Sequence, residues 1–290
     1  MPRITSHLWF DTEAREAAAF YAAAFGSASA GHVVTLRNTP SGSVDVVTID
    51  LWGHEFTLIS AGPLFQFNPS VSFSVRCDTR AEVDRLWGRL EPGATALMPL
   101  GEYPFSERYG WLQDRYGLSW QVSLANAATQ RMVPSLLFSG AVCGRAEEAI
   151  SFYGTVFGRS EIEHVVRYGE DEAPDTPGTI KHAGFTLEGQ EFAAMDSARA
   201  HDAPFNEAIS LMVQCETQGE IDHYWDRLSA DPKAEQCGWL KDRFGLSWQI
   251  VPAAMNEMLR NGDEAKLARV TEAFLAMKKF DLARLQEAYR

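Results

Sequence analysis

The side chains best suited to chemistry lie at alternate positions of predicted strands. In Thr5–Phe10, the bulky apolar side is formed by Leu8 and Phe10, which leaves His7 and Trp9 on the opposite side. The strand Leu118–Leu124 likewise places Gln121 opposite its apolar residues. Imidazole, indole and amide groups on the face that helices leave free can bind a small molecule.

The predicted binding residues form one group in each half of the chain. His7, Trp9, Gln121 and Trp111 are expected to line a cleft in the first half. In the second half, the expected lining residues are Trp239 and Gln249. For the two hairpin tryptophans, Trp111 and Trp239, ordinary packing against the hairpin remains an open alternative.

Three sequence segments recur in the same order along the chain. FYAAAFG at Phe20 returns as FYGTVFG at Phe152, and GWLQDRYGLSWQV at Gly110 returns as GWLKDRFGLSWQI at Gly238. Between them, CDTRAEVDRLWGRL returns as CETQGEIDHYWDRL. The spacing between copies is 132, 138 and 128 residues in chain order. This pattern indicates an internal duplication with small insertions and deletions.

The repeat predicts two domains and a tail. We expect the first domain at residues 1–126, the second at 131–252, and a helical C-terminal extension at 253–290. The boundary is expected where ANAATQR is small and polar. In the extension, Asp263 can cap a helix whose apolar residues recur at three- and four-residue steps.

Within each repeat, hydrophobic periodicity predicts strand–helix–strand–strand–strand, twice over. Capping boxes at Thr79–Glu82 and Thr217–Glu220 mark the starts of two of the helices. The predicted fold class is therefore α+β, with two such modules in each repeat forming a curved mixed sheet around a cleft.

Composition excludes several classes of partner. A net charge of −13 disfavours nucleic acid and anionic membrane surfaces, since both attract clustered Lys and Arg. We find no signal peptide and no apolar window long enough to span a membrane. Four cysteines without a C-x-x-C pair do not form a disulfide framework. These features predict a cytoplasmic protein with a small-molecule ligand.

The runs FDTEAREAAAFY from Phe10 and PFSERYGWLQDRYGLSWQ from Pro104 resemble the PhnB-like branch of the vicinal oxygen chelate superfamily. Glyoxalase I, bleomycin-resistance proteins and extradiol dioxygenases belong to the same superfamily. The resemblance covers both repeats and implies paired βαβββ modules that close a U-shaped cleft. It also implies a divalent metal in the catalytic members.

The family's metal-ligand positions can be carried over to this chain residue by residue. They fall at Thr5 or His7, Ser70 and Gln121 in the first repeat, and at Ser135, Ala208 and Gln249 in the second. Metal sites usually take three or four ligands, with His or carboxylate among them. No cofactor is therefore assigned, and a divalent metal in the first domain, with His7 and Gln121 as its candidate ligands, stays open.

Two functions remain open at this stage. One is a metal-assisted enzyme, a lyase, isomerase or oxygenase relative; the other is a non-catalytic protein that sequesters a ligand in an aromatic cleft. Proteins of this branch are often labelled 3-demethylubiquinone-9 3-methyltransferase domains. Methyl transfer is disfavoured because no G-x-G-x-x-G follows a predicted strand. The chain is expected to be a monomer, as an internal pseudo-dimer, or a homodimer.

Overall fold

The computed structural model describes residues 3–26, 31–125, 130–201 and 203–290. The expected domain boundary at residue 126 lies outside them. The first repeat forms two complete modules. Its elements are β1 (Arg3–Phe10), α1 (Ala14–Phe25), β2 (His32–Thr39), β3 (Gly42–Leu51), β4 (His54–Ser60), β5 (Val71–Cys77), α2 (Arg80–Leu90), β6 (Thr95–Tyr103), β7 (Ser106–Gln113) and β8 (Ser119–Leu124).

The second repeat forms a complete module, a shortened one and the tail. Its elements are β9 (Met132–Ser139), α3 (Ala146–Val156), β10 (Ile162–Arg167), β11 (Ile180–Leu187), β12 (Gln190–Ser197), β13 (Ile209–Cys215), α4 (Gln218–Leu228), β14 (Trp239–Lys241), β15 (Ser247–Pro252), α5 (Ala253–Asn261), α6 (Glu264–Leu275) and α7 (Leu282–Tyr289). The α+β class and the helical tail are confirmed. No helix among the described residues is long and apolar enough to cross a membrane.

The fourth module departs from the prediction. After α4 it has two strands instead of three, because the chain between α4 and β14 is too short for a counterpart of β6. The spacing between the repeats falls from 138 residues at the start of α2 and α4 to 128 residues at the last hairpin. This decrease agrees with a deletion between α4 and β14.

Each mixed sheet joins one module from each repeat. The seven-stranded sheet has the order β14-β15-β13-β1-β4-β3-β2, and the eight-stranded sheet has the order β10-β11-β12-β9-β5-β8-β7-β6. The repeats meet where β1 pairs antiparallel with β13 and β5 with β9. The expectation that both modules of one repeat surround one cleft is therefore wrong, because those modules lie in different sheets.

The main core lies between the two sheets, around α1–α4. Two recurring turns connect its layers. The buried Asp114 carboxylate accepts hydrogen bonds from the Tyr21 hydroxyl at 2.8 Å and the Trp120 indole at 2.9 Å. Asp242 makes the equivalent bonds to Tyr153 and Trp248. The turn aspartates are therefore structural.

Predicted helix boundaries are also found. Thr217 and Glu220 form a complete capping box on α4. Thr79 accepts from the Glu82 backbone on α2, while the Glu82 carboxylate accepts from Asp78 N. These caps satisfy backbone donors that a helix start leaves unpaired.

Candidate functional site

The face of each sheet that points away from the core, here called the outer face, carries all the predicted site residues. On the seven-stranded sheet these are His7, Trp9, Trp239 and Gln249; on the eight-stranded sheet they are Trp111 and Gln121. The predicted grouping is thus wrong. His7 and Trp9 face Trp239 of the other repeat, whereas Gln121 belongs to a different sheet.

On the eight-stranded sheet, the outer-face polar groups satisfy one another. Trp111 Nε1 donates to Ser119 Oγ at 2.7 Å. Gln121 accepts from the Tyr109 hydroxyl at 2.7 Å and donates from Nε2 to Ser72 Oγ at 2.8 Å. These bonds leave little unused hydrogen-bonding capacity in this group of side chains.

The seven-stranded sheet repeats only part of this arrangement. Gln249 Nε2 donates to Ser210 Oγ at 2.7 Å, as Gln121 does to its serine. Trp239 and Ser247 are the repeat equivalents of the bonded tryptophan–serine pair, yet neither Trp239 Nε1 nor Ser247 Oγ has a partner among the described residues. The Trp239 ring instead lies edge-on to His7, with centroids 5.2 Å apart, and 6.3 Å from Trp9.

Four buried polar atoms without a partner lie on this outer face: Thr5 Oγ1, His7 Nδ1, Trp239 Nε1 and Ser247 Oγ, in the part of the chain that the structure describes. We call these four residues the polar cluster. They lie on β1, β14 and β15, within one stretch of the sheet. Each unsatisfied buried group costs about 1–3 kcal/mol, so four together call for an explanation.

The polar cluster is electrically neutral. Burial leaves His7 3% exposed and lowers its pKa to about 3, so the ring is uncharged at neutral pH. Beside it on β14, the Lys241 ammonium is paired with the Glu207 carboxylate at 2.8 Å. The site can therefore donate and accept hydrogen bonds, but it offers no net charge to an ion.

The residues present do not fit the metal that the superfamily implies. His7 and Gln121 lie on different sheets, and both polar atoms of the Gln121 amide are already hydrogen-bonded. The described residues contain no group of three His, Cys, Asp or Glu side chains that could hold a metal ion. His164 and His182 do meet, with ring nitrogens 3.0 Å apart, but as a pair.

Two members of the polar cluster were missed as site residues. The sequence predicts Thr5 only as an alternative to His7 at a metal-ligand position, and Ser247 is not among the predicted site residues. The sequence carries no signal for this difference, because Ser119 and Ser247 are equivalent and both copies contain the same tryptophan and serine.

The described strands and helices form the glyoxalase-like fold. Glyoxalase I from Zea mays has a TM-score of 0.55 at 10% identity, with 90% of this chain and 98% of that chain covered. A PhnB protein from Bacillus cereus is 38% identical over 42% of this chain and 98% of its own, with a TM-score of 0.37. No curated protein matches the chain.

A family model described as 3-demethylubiquinone-9 3-methyltransferase matches residues 2–123 and again residues 130–251. The chain therefore belongs to this family and contains two tandem copies of its domain. The resemblance noted in the sequence is confirmed.

Proposed function

We propose that the protein binds an uncharged small organic molecule on the outer face of the seven-stranded sheet, without a metal. The observation that carries this proposal is the polar cluster, whose four buried atoms have no partner within the described ranges of the chain. A ligand that hydrogen-bonds to them would offset the cost of burying them unpaired.

The cluster defines the class of ligand. An indole N–H only donates, so Trp239 requires an acceptor such as a carbonyl or hydroxyl oxygen. The hydroxyls of Thr5 and Ser247 and the neutral His7 ring can serve either role. The rings of Trp9 and Trp239 offer contacts to a flat apolar body. An uncharged aromatic alcohol or ketone has these features.

The residues of the polar cluster favour ligand binding over catalysis. An imidazole with a pKa near 3 is a weak base at neutral pH, and the donor set does not suit a metal. Methyl transfer is equally disfavoured, since neither mixed sheet is the doubly wound parallel sheet of the usual methyl-transfer enzymes. Sequestration of a ligand is therefore the function we favour.

The test uses two uncharged probes, 2-naphthol and 2-acetonaphthone, with the anion naphthalene-2-sulfonate for comparison. Calorimetric titration should give saturable 1:1 binding of the uncharged probes and none of the sulfonate. Ser247→Ala should weaken binding about fivefold, as expected for the loss of one hydrogen bond.

The matched control is Ser119→Ala, the equivalent change on the eight-stranded sheet. It should leave the Kd of the probes unchanged. Equal weakening by both substitutions, or equal binding of the sulfonate, would contradict the proposal.

A further inference from the structure

The C-terminal tail covers the outer face of the seven-stranded sheet. Helix α5 contacts both β15 and β2, although four other strands lie between these two in the sheet. Val270 of α6 belongs to the same apolar cluster as Met212 and Val251, which project from the outer face. Trp239 packs against this cluster as well. The tail and a member of the polar cluster therefore belong to one packed apolar region.

Both ends of this cover are fixed. Helix α5 follows β15 without a break. After α6, Cys237 N donates to Met277 O at 2.9 Å, and Gly238 N donates to Lys278 O at 2.8 Å. Lys279 then pairs with two carboxylates of α4, at 2.9 and 3.1 Å. The segment thus bonds to the chain just before β14, on the edge where the fourth module lacks a strand.

The helices between the fixed ends are held by fewer buried groups. Met258 is the buried residue of α5, and Val270 and Thr271 are those of α6, whereas α4 buries four large side chains. The Thr271 hydroxyl has no partner among the described residues. The ion pair of Arg37 with Glu264 joins α6 to β2, but its side chains are 64% and 75% exposed. Such surface pairs contribute about 0–1 kcal/mol.

We infer that α5 and α6 form a movable wall of the ligand site, and that a ligand enters by displacing them while both ends stay attached. This inference rests on the proposed function. It follows from three observations: a buried polar cluster, a cover that packs in the same apolar region as Trp239, and few buried groups between two firm anchors. Elements with few buried contacts open locally at low free-energy cost.

The experiment locks the wall with a short bismaleimide crosslink. Arg37→Cys and Glu264→Cys are introduced on a Cys143→Ser background, because the other native cysteines are buried. Stopped-flow fluorescence with 2-naphthol should show association slowed about tenfold or more in the crosslinked protein. The control crosslink joins Glu235→Cys and Lys278→Cys, which replace an ion pair in the anchored segment. It should leave the association rate unchanged.

Hydrogen exchange gives a second, ligand-independent measurement. Amides of α5 and α6 should exchange about tenfold faster than those of α4 in the unmodified protein. Equal exchange in both regions, or equal association rates in the two crosslinked proteins, would overturn the movable wall alone. Failure of the uncrosslinked protein to bind either uncharged probe would instead overturn the proposed function.

Discussion

His7 should make the folded protein sensitive to mild acid. Burial lowers the pKa of this imidazole to about 3, whereas in the unfolded chain it returns to about 6.5. The unfolded state therefore takes up a proton that the folded state does not, and stability falls as the pH drops from about 6.5 towards 3. From about pH 7.5 to about pH 5.5, this one group lowers the free energy of unfolding by about 1.4 kcal/mol.

Substitution of His7 by Gln removes this titration. Urea unfolding followed by tryptophan fluorescence at both pH values should show that His7→Gln loses about 1.4 kcal/mol less stability on acidification than the unsubstituted protein. The matched control is the same substitution at an exposed position outside the polar cluster, His32→Gln. An acid loss that is the same with and without His7 would refute a buried, neutral imidazole at this position.

Two further comparisons use the repeat as its own control. Trp111→Phe should cost about 1–2 kcal/mol more than Trp239→Phe in urea unfolding, because only Trp111 donates to a serine; equal losses would contradict the difference between the sheets. Gly238→Ala should destabilise the tail by about 2 kcal/mol or more, because φ is +84° and an added Cβ would lie 2.6 Å from an aromatic ring of the tail. Gly245→Ala, at φ +86° with open space, should cost only about 1 kcal/mol; a similar loss at both glycines in thermal unfolding would remove the steric argument.

Local sequence patterns predicted the modules because their determinants are local. Thr217 with Glu220 begins α4, as the capping box predicted, and Gly26 ends α1 in the left-handed conformation that glycine adopts easily. Strand alternation also assigned the correct outer face to His7 and Gln121. These features depend on residues that are close together in the chain, so they can be predicted from the sequence pattern alone.

The arrangement of the modules could not be predicted in the same way. Alternation indicates which face of β1 is buried, but not whether its free edge pairs with β5 of the same repeat or β13 of the other. The contact of His7 with Trp239 depends on that choice. The unpaired state of Ser247 depends on the ring position of Trp239, which tertiary packing decides.

The shared sheets also bear on how the two sites diverged. A symmetric dimer of single repeats must carry two identical sites, since any change appears in both subunits. Here one strand is missing beside one outer face and present beside the other, and among the described residues the C-terminal helices pack on the first of these faces. Covalent linkage of the repeats thus allows one outer face to keep buried polar atoms unpaired while the other outer face pairs its tryptophan and glutamine with serines.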